Sequence, residues 1–283
     1  CAGLHAIETA ASIEGFPEDR ITMSGVAIRD ANGRVRSMDS IAADLDAEVS
    51  QAIERGRRTI VHVVHRSKTG MVVPDWDLLR NAMLKWEGRA DVVVDACQGR
   101  ISPLMLRSYL ALGCSVLYTG SKFIGGPPFS GALFVPEQLA SRFKHPGAVP
   151  QGLFGIFSPA EWPQDLVPMT SGSDEALNLG LLLRWEAAIY ELRRVTAIDD
   201  DRLRFTIRCF QEEVMTMVER SPWLGMVSEL EGDGSIAEEC REHPFERDMI
   251  MTMTIGGTGV DGLDLEDGKF IYRSMFSDLE LAD

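Results

Sequence analysis

Two charged side chains of this chain follow apolar runs with the composition of buried strands. Asp95 comes directly after Val92-Val93-Val94, and Lys122 comes 27 positions later, shortly after Val116-Leu117-Tyr118. A lysine whose pKa is lowered by cationic or apolar surroundings can attack an aldehyde and hold it as an imine. A carboxylate can keep a pyridine nitrogen protonated, so the pair predicts a site for a cofactor that carries both groups.

Amide and hydroxyl side chains accompany the two charged residues. Gln98 lies three positions after the aspartate, and an amide donor suits a phenolic oxygen. Thr119 and Ser121 precede the lysine and can donate hydrogen bonds to phosphate oxygens. Each feature alone is a weak signal, and their combination is the one that pyridoxal phosphate requires.

The pattern resembles fold-type I enzymes, specifically the class V aminotransferase and cysteine desulfurase group. The resemblance covers roughly residues 59–190 and is carried by the segments Asp95-Ala96-Cys97-Gln98, Gly120-Ser121-Lys122, Gly126-Pro127-Pro128 and Gly131-Ala132-Leu133. It implies pyridoxal 5'-phosphate as the cofactor and an amino acid or related amine as the substrate. It also implies an aminotransferase-like reaction and a homodimer whose pocket is built at the subunit interface.

The resemblance implies a role for each site residue. Lys122 would hold the cofactor as an internal aldimine and then move the α-proton as general base and acid. Asp95 would pair with the pyridinium nitrogen, and Gln98 would bond the phenolic oxygen. Thr119 and Ser121 would bind the phosphate. From the residues alone, a surface lysine, a strand-end aspartate and a solvent-facing loop amide remain open as alternatives.

Two further serines match the pattern of the group. Ser67 follows an apolar run and would approach the phenolic oxygen or the substrate, and its alternative is an ordinary loop hydroxyl. Ser173, in Thr170-Ser171-Gly172-Ser173, would reach the phosphate of the neighbouring subunit. It is also a good helix N-cap, and the two interpretations are compatible because helix N-termini bind phosphate.

The chain also departs from the group. Three features of the group have no clear counterpart in this sequence. They are the upstream loop that binds the phosphate, the residue that stacks on the cofactor ring and the arginine that binds the substrate carboxylate. A truncated relative that binds no cofactor is therefore the second hypothesis. A desulfurase ranks below an aminotransferase or a lyase, because acidic neighbours raise the pKa of Cys240 and Cys97 has no activating base. A nucleotide-binding domain lacks any phosphate motif.

The predicted elements alternate along the first half of the chain. Strands are predicted at residues 59–64, 91–94, 115–118 and 131–135, and helices at 39–57, 75–86 and 103–112. This alternation predicts an α/β fold with a mostly parallel sheet and helices on both faces. Since ligands bind beyond the carboxyl ends of such strands, Ser67, Asp95 and Lys122 are expected on one rim.

Further elements are predicted outside this alternation. They are a strand at 24–30, an ordered loop at 143–169, helices at 173–194 and 202–220, and a strand at 249–255. We expect residues 1–170 to form a large cofactor-binding domain, 171–198 a connecting helix and 199–283 part of a small domain. The sequence starts at Cys1 rather than Met, and its last residues carry no helix stop or turn signal. These ends predict a piece of a longer chain, with plain frayed termini as the alternative.

The composition narrows the classes of function. The chain has 283 residues, is 45% hydrophobic and carries a net charge of −15, which argues against a nucleic-acid partner. It has no apolar run of about 18 residues that would span a membrane. Five cysteines without paired or zinc-like spacing indicate a reducing compartment, and hence a cytoplasmic protein without a metal site.

Overall fold

The structure of the protein is a computed structural model. It describes residues 14–15, 20–31, 34–86, 88–144, 150–155, 157, 161, 178–226, 236–246, 249–256 and 265–274. The helices of these ranges are α1 (Met38–Glu54), α2 (Trp76–Trp86), α3 (Pro103–Leu112), α4 (Glu137–Ala140), α5 (Leu179–Thr196), α6 (Asp200–Arg220) and α7 (Leu265–Ser274). The strands are β1 (Thr59–Val64), β2 (Ala90–Ala96), β3 (Ser115–Thr119), β4 (Gly131–Phe134), β5 (Leu224–Met226) and β6 (Met253–Ile255).

The main sheet has four strands in the order β1-β2-β3-β4. The first three are parallel, with Val63 opposite Val94 and Val94 opposite Val116. Strand β4 returns antiparallel to β3, with Leu133 opposite Leu117. The predicted α/β class with a mostly parallel sheet is therefore confirmed. Strands β5 and β6 form a separate antiparallel pair.

Alternate residues of β2 point to opposite faces of the sheet. Val92, Val94 and Ala96 are at most 1% exposed and belong to the main apolar cluster. Helices α1, α2 and α3 contribute Val49, Leu79 and Met105 to the same cluster. Asp95 has the opposite parity and is half-buried, so its carboxylate lies outside the apolar cluster.

Local signals place the three helices of this core. Ser37 caps α1 and Ser102 caps α3, each by accepting a backbone hydrogen bond. Pro103 occupies the first turn of α3, and Gly113 ends it with a left-handed φ of 98°. The predicted helix at 103–112 is confirmed at both ends, and those at 39–57 and 75–86 to within three residues.

The predicted strand at 24–30 does not form. Among the residues that the structure describes, a single antiparallel bridge joins Arg29 to Val35 and no longer ladder extends from it. The predicted strand at 249–255 is shortened to β6, which pairs with the three residues of β5. In both places the apolar composition favours a strand, but the pairing that the described residues provide is short.

Helix α5 begins later than predicted. Its N-cap is Asn178, whose side-chain oxygen accepts from the Leu181 amide at 2.9 Å, and the helix starts at Leu179. Ser173 is therefore not the cap of this helix, because the asparagine supplies an equally good cap closer to its start. Ser173 itself, and most of the predicted loop at 143–169, lie outside the described residues.

The division into a large domain, a connecting helix and a small domain remains a prediction. None of the helices in the described ranges combines the length and apolar character needed to cross a membrane.

Candidate functional site at the carboxyl ends of the strands

The loops that follow β1, β2 and β3 meet at one edge of the main sheet. Ser67 lies three residues beyond β1, Asp95 is near the end of β2, and Lys122 lies three residues beyond β3. The His65 amide donates to the Asp95 carbonyl at 2.9 Å, which continues the β1–β2 pairing past the strand. The structure thus brings three of the predicted site residues to the same rim.

The loop after β2 is held against the loop that carries the lysine. The Phe123 amide donates to the Gln98 carbonyl at 3.2 Å. Gly99 has a φ of +72°, and a Cβ at this position would meet the Thr119 carbonyl oxygen at 3.1 Å. Gln98 and Lys122 therefore belong to loops in direct contact, as a shared site requires.

Asp95 is fixed at the end of its strand. One carboxylate oxygen accepts from the Cys97 amide at 2.9 Å in a local turn. A carboxylate has several acceptor positions, so this contact leaves others open for a cationic nitrogen. The turn orients the side chain without neutralising it.

The hydroxyls beside the lysine are hydrogen-bonded to each other and to the backbone. The Thr119 hydroxyl lies 3.1 Å from the Ser130 carbonyl, to which it donates, and 2.9 Å from the Ser121 hydroxyl. Since a hydroxyl carries one proton, Ser121 donates to Thr119 when Thr119 donates to Ser130. Ser121 is therefore the hydroxyl that can turn to a phosphate with the smaller rearrangement.

Lys122 projects into solvent from a tightly built loop. Its side chain is exposed, and Nζ takes part in no hydrogen bond or ion pair with any described residue. The Gly125 amide donates to the Lys122 carbonyl at 3.0 Å, and the Gly126 amide to the Gly120 carbonyl at 2.8 Å. The backbone of the loop is thus ordered while the amine is available for chemistry.

The lysine loop packs directly on α5. A Cβ on Gly120 would lie 2.5 Å from the Cβ of Ala188, and one on Gly126 would lie 2.6 Å from it. Ala188 is itself 1% exposed. The two glycines and the small alanine allow a closer approach than larger side chains would.

Ser67 is engaged in a turn of its own. Its hydroxyl oxygen accepts from the Thr69 amide at 3.2 Å and from the Met71 amide at 3.1 Å. Its carbonyl accepts from the guanidinium of Arg100 at 3.3 Å. These bonds favour the loop-hydroxyl interpretation of Ser67, although the residue lies at the predicted rim.

A buried polar group lies beneath this rim that sequence reasoning missed. His65 Nε2 is 3.1 Å from a carboxylate oxygen of Glu246, and neither side chain is exposed. His65 Nδ1 is 3.1 Å from the Tyr109 hydroxyl, and the other Glu246 oxygen accepts from the Ser102 amide at 2.6 Å. No sequence signal joins Glu246 to Ser102, which lies 144 residues earlier.

The surroundings of this group set its protonation. Burial raises the pKa of Glu246, but the hydrogen bond and charge of His65 and the bonds from Ser102 outweigh it, so the pKa is lowered. Burial and then the Glu246 charge raise the pKa of Tyr109 well above its ordinary value. Glu246 is therefore an ionised acceptor, and the Tyr109 hydroxyl beside His65 keeps its proton.

The thiols close to the site are not activated. Burial, followed by the hydrogen bond and charge of Asp95, raises the pKa of Cys97 to about 12. The pKa of Cys240 is raised as predicted, but burial is the first cause and Glu246 the second. Glu239, the sequence neighbour on which the prediction relied, contributes less.

Metal ligation finds no support in the described ranges, where no group of three or more His, Cys, Asp or Glu side chains could hold an ion. His62 is exposed and His65, just beyond β1, is buried, so the two imidazoles lie in different environments.

Comparisons with known proteins give only distant similarity. No protein-family model matches the chain, and no curated protein matches it significantly. Among solved structures, the chain is similar to mouse CSAD, with a TM-score of 0.39 and 18% identity over 70% of this chain and 39% of that one. The apo form of mouse CSAD gives a TM-score of 0.38 and 16% identity over 71% and 40%. The chain spans about two fifths of the length of these chains.

Proposed function

We propose that the protein is a pyridoxal-phosphate-dependent enzyme of the aminotransferase type that acts on an amino acid or a related amine. The observation that carries the proposal is the meeting of Asp95, Gln98 and Lys122 at one edge of the sheet. The backbone bond from Phe123 to Gln98 joins the two loops that hold them. The class V assignment and a cytoplasmic location are part of the same proposal.

The donor set at this edge fits the cofactor. Asp95 offers a carboxylate outside the apolar cluster, and Ser121 offers a hydroxyl next to an exposed lysine. When bound, pyridoxal phosphate supplies an electrophilic aldehyde and a ring that accepts electrons from the substrate. The protein's part is to bind this group, orient it and move protons.

Each residue then has a defined task. The Asp95 carboxylate keeps the ring nitrogen protonated, and the Gln98 amide donates to the phenolic oxygen. The hydroxyls of Ser121 and Thr119 bind phosphate oxygens. The Lys122 amine would hold the cofactor at its aldehyde carbon and would move the proton at the substrate α-carbon.

A homodimer is part of the proposal, and α5 carries the surface that supports it. One face of this helix carries four large apolar side chains that are all more than half exposed and recur at helical spacing: Leu179, Leu182, Leu183 and Tyr190. Phe129, in the loop after the lysine, is 82% exposed with a φ of 64°. A second copy of the chain would cover this apolar surface and provide the neighbouring-subunit phosphate contact proposed for Ser173.

One observation favours the alternative of a relative that binds no cofactor. The hydroxyls of Ser67 and Thr119 are already bonded within the chain, so they do not await a ligand. A desulfurase is supported less well, because the thiols of Cys97 and Cys240 both have raised pKa values.

Incubation with pyridoxal phosphate followed by borohydride reduction tests the proposal. We expect the cofactor to become fixed to Lys122, located by peptide mapping, and Lys122→Ala to lose this labelling. Lys68→Ala is the matched control, since Lys68 is an exposed lysine in the loop after β1 and should not matter. Labelling of many surface lysines at similar levels, or none in a folded protein, would refute the proposal.

A further inference from the structure

Glu246 lies far along the chain from the sheet edge but contacts it at three points. It sits in the 3₁₀ turn Pro244–Glu246, and its side chain is wholly buried. Its carboxylate contacts His65 and the amide of Ser102. Its main-chain carbonyl accepts from the guanidinium of Arg66. A single residue thus holds the end of β1 and the start of α3 together.

The contacted residues directly precede the loop of Ser67. Arg66 has a φ of 60°, a left-handed conformation that is strained for a residue with a side chain. Such a conformation persists only when its surroundings hold it. The Arg66 guanidinium, bonded to the Glu246 carbonyl and 3.5 Å from the Gly70 carbonyl, provides that hold across the loop.

The same contacts reach the proposed cofactor site by a second route. The His65 imidazole is held by Glu246 on one side and Tyr109 on the other. The His65 amide in turn donates to the Asp95 carbonyl at 2.9 Å. The position of the Asp95 backbone, and hence of its carboxylate, therefore depends on where His65 is fixed.

We propose that Glu246 is a positioning residue for the site at the sheet edge: through His65 and Arg66 it fixes the loop from Arg66 to Met71 and the end of β2 at Asp95. This inference rests on the proposed function only in that it identifies the positioned site as the cofactor site. The positioning itself is a property of the chain and can be measured without any cofactor.

Replacing Glu246 by glutamine tests the effect of its charge while the size of the side chain is kept. Glu246→Gln keeps the size of the side chain but replaces one carboxylate oxygen with an NH₂ group. The two oxygens of Glu246 face His65 Nε2 and the Ser102 amide. In the variant only one of these positions keeps an oxygen. Either the Ser102 amide then meets an NH₂ group, or the NH₂ group faces Nε2, which can accept it only if the imidazole proton lies on Nδ1, toward Tyr109. In both cases the negative charge beside the imidazole is lost and the hold on His65 is weakened.

Hydrogen–deuterium exchange of the full chain without cofactor provides the main test. The amides of Ser67, Met71 and Cys97 are each hydrogen-bonded in the loops concerned, Ser67 to the Met71 carbonyl at 2.8 Å. In Glu246→Gln we expect these amides to exchange roughly tenfold faster. The amide of Val94, in the centre of the sheet, should be unchanged. Glu239→Gln, an exposed glutamate on the neighbouring turn, should leave all of them unchanged.

A second variant keeps the test decisive if the first does not fold. Glu246→Asp retains the charge but shortens the side chain, so it should also accelerate exchange in the Ser67 loop. Unchanged exchange there in a folded variant would overturn the proposal. Equal acceleration at Val94 would also overturn it, because Glu246 would then act as a general stabilising residue.

Cofactor binding separates this inference from the proposed function. If the unsubstituted chain binds pyridoxal phosphate, Glu246→Gln should weaken that binding several-fold in a fluorescence titration, while Glu239→Gln should not. If the unsubstituted chain binds none, the proposed function fails, yet the exchange measurements still decide whether Glu246 positions the loop.

Discussion

At the scale of single residues, the negative charge of Asp95 has two effects: it favours a cation nearby and disfavours an anion at the Cys97 thiol. In the proposed function its carboxylate stabilises a cationic ring at the sheet edge, and its charge also disfavours a thiolate at Cys97, two residues later. The residue proposed to hold the ring thus also keeps this thiol protonated. The place of Asp95 at the end of a strand could be predicted from the apolar run before it. Its effect on the pKa of Cys97 could not, because that effect depends on a hydrogen bond seen only in the structure.

The effect on Cys97 can be measured by alkylation. Asp95→Asn removes the negative charge, so the pKa of Cys97 should fall from its value of about 12 and alkylation by iodoacetamide near pH 9 should become severalfold faster. Cys114 is the internal control, because burial alone raises its pKa to about 12. Equal acceleration at both thiols, read by mass spectrometry, would indicate general opening of the fold rather than loss of the Asp95 charge.

Glu246 should make stability depend on acid pH. Because its folded-state pKa is depressed below the ordinary 4.5, its contribution is complete above that value and is lost as the pH falls through the folded-state pKa. We therefore expect the unsubstituted chain to lose more stability than Glu246→Gln on moving from about pH 6 to about pH 3. Urea unfolding at each pH measures this difference. Parallel acid dependence in the two proteins would contradict the expectation.

At the scale of elements, the loop from Gly120 to Gly126 packs so closely on α5 that it has no room for a side chain at either glycine. A Cβ on Gly126 would meet the Ala188 Cα at 2.8 Å and the Gly120 carbonyl oxygen at 2.8 Å. Both obstacles are backbone atoms, so the contact cannot be relieved by turning a side chain. The loop and α5 therefore have one close-packed arrangement.

This close packing predicts a selective effect of adding a methyl group. Gly126→Ala should lower the free energy of unfolding by about 1–3 kcal/mol, because overpacking forces the backbone to shift. Gly131→Ala is the matched control, since nothing lies within 4 Å of a Cβ there and its φ is not left-handed. Urea unfolding of both variants provides the comparison. Similar losses for the two would show that the Ala188 contact is not the cause.

The elements also show what sequence reasoning can and cannot reach. Helix α3 was predictable to its ends because Ser102, Pro103 and Gly113 are local signals that act within one turn. The start of α5 was not, because Ser173 and Asn178 are both good caps and only the fold selects between them. The pairing of His65 with Glu246 joins residues 181 positions apart, a relation that no spacing rule contains.

At the scale of the whole molecule, charge and apolar surface act in opposite directions on assembly. A net charge of −15 makes two copies repel each other, whereas the exposed leucines of α5 favour association. Salt screens the repulsion but leaves the apolar attraction. A homodimer formed through α5 should therefore become tighter as the ionic strength rises.

Sedimentation velocity tests the proposed dimer. Leu183→Glu places a charge in the centre of the exposed α5 surface and should shift the protein toward monomer. Leu84→Glu is the control, because Leu84 is likewise exposed, at 70%, but belongs to a different helix, α2. A monomeric unsubstituted chain at high salt, or equal dissociation of both variants, would rule out α5 as the interface.

Ala188 lies nine residues after Leu179, and this spacing rotates it by about half a turn around the helix axis. One side of α5 therefore presents the exposed leucines and Tyr190, while the opposite side rests on the glycines of the lysine loop. Because packed interiors transmit strain, a displacement imposed on the outer side passes to that loop. Because Gly120 and Gly126 lie so close to Ala188, α5 acts as a rigid connection between the two surfaces. A partner subunit bound to the outer side of α5 would therefore determine the position of Lys122.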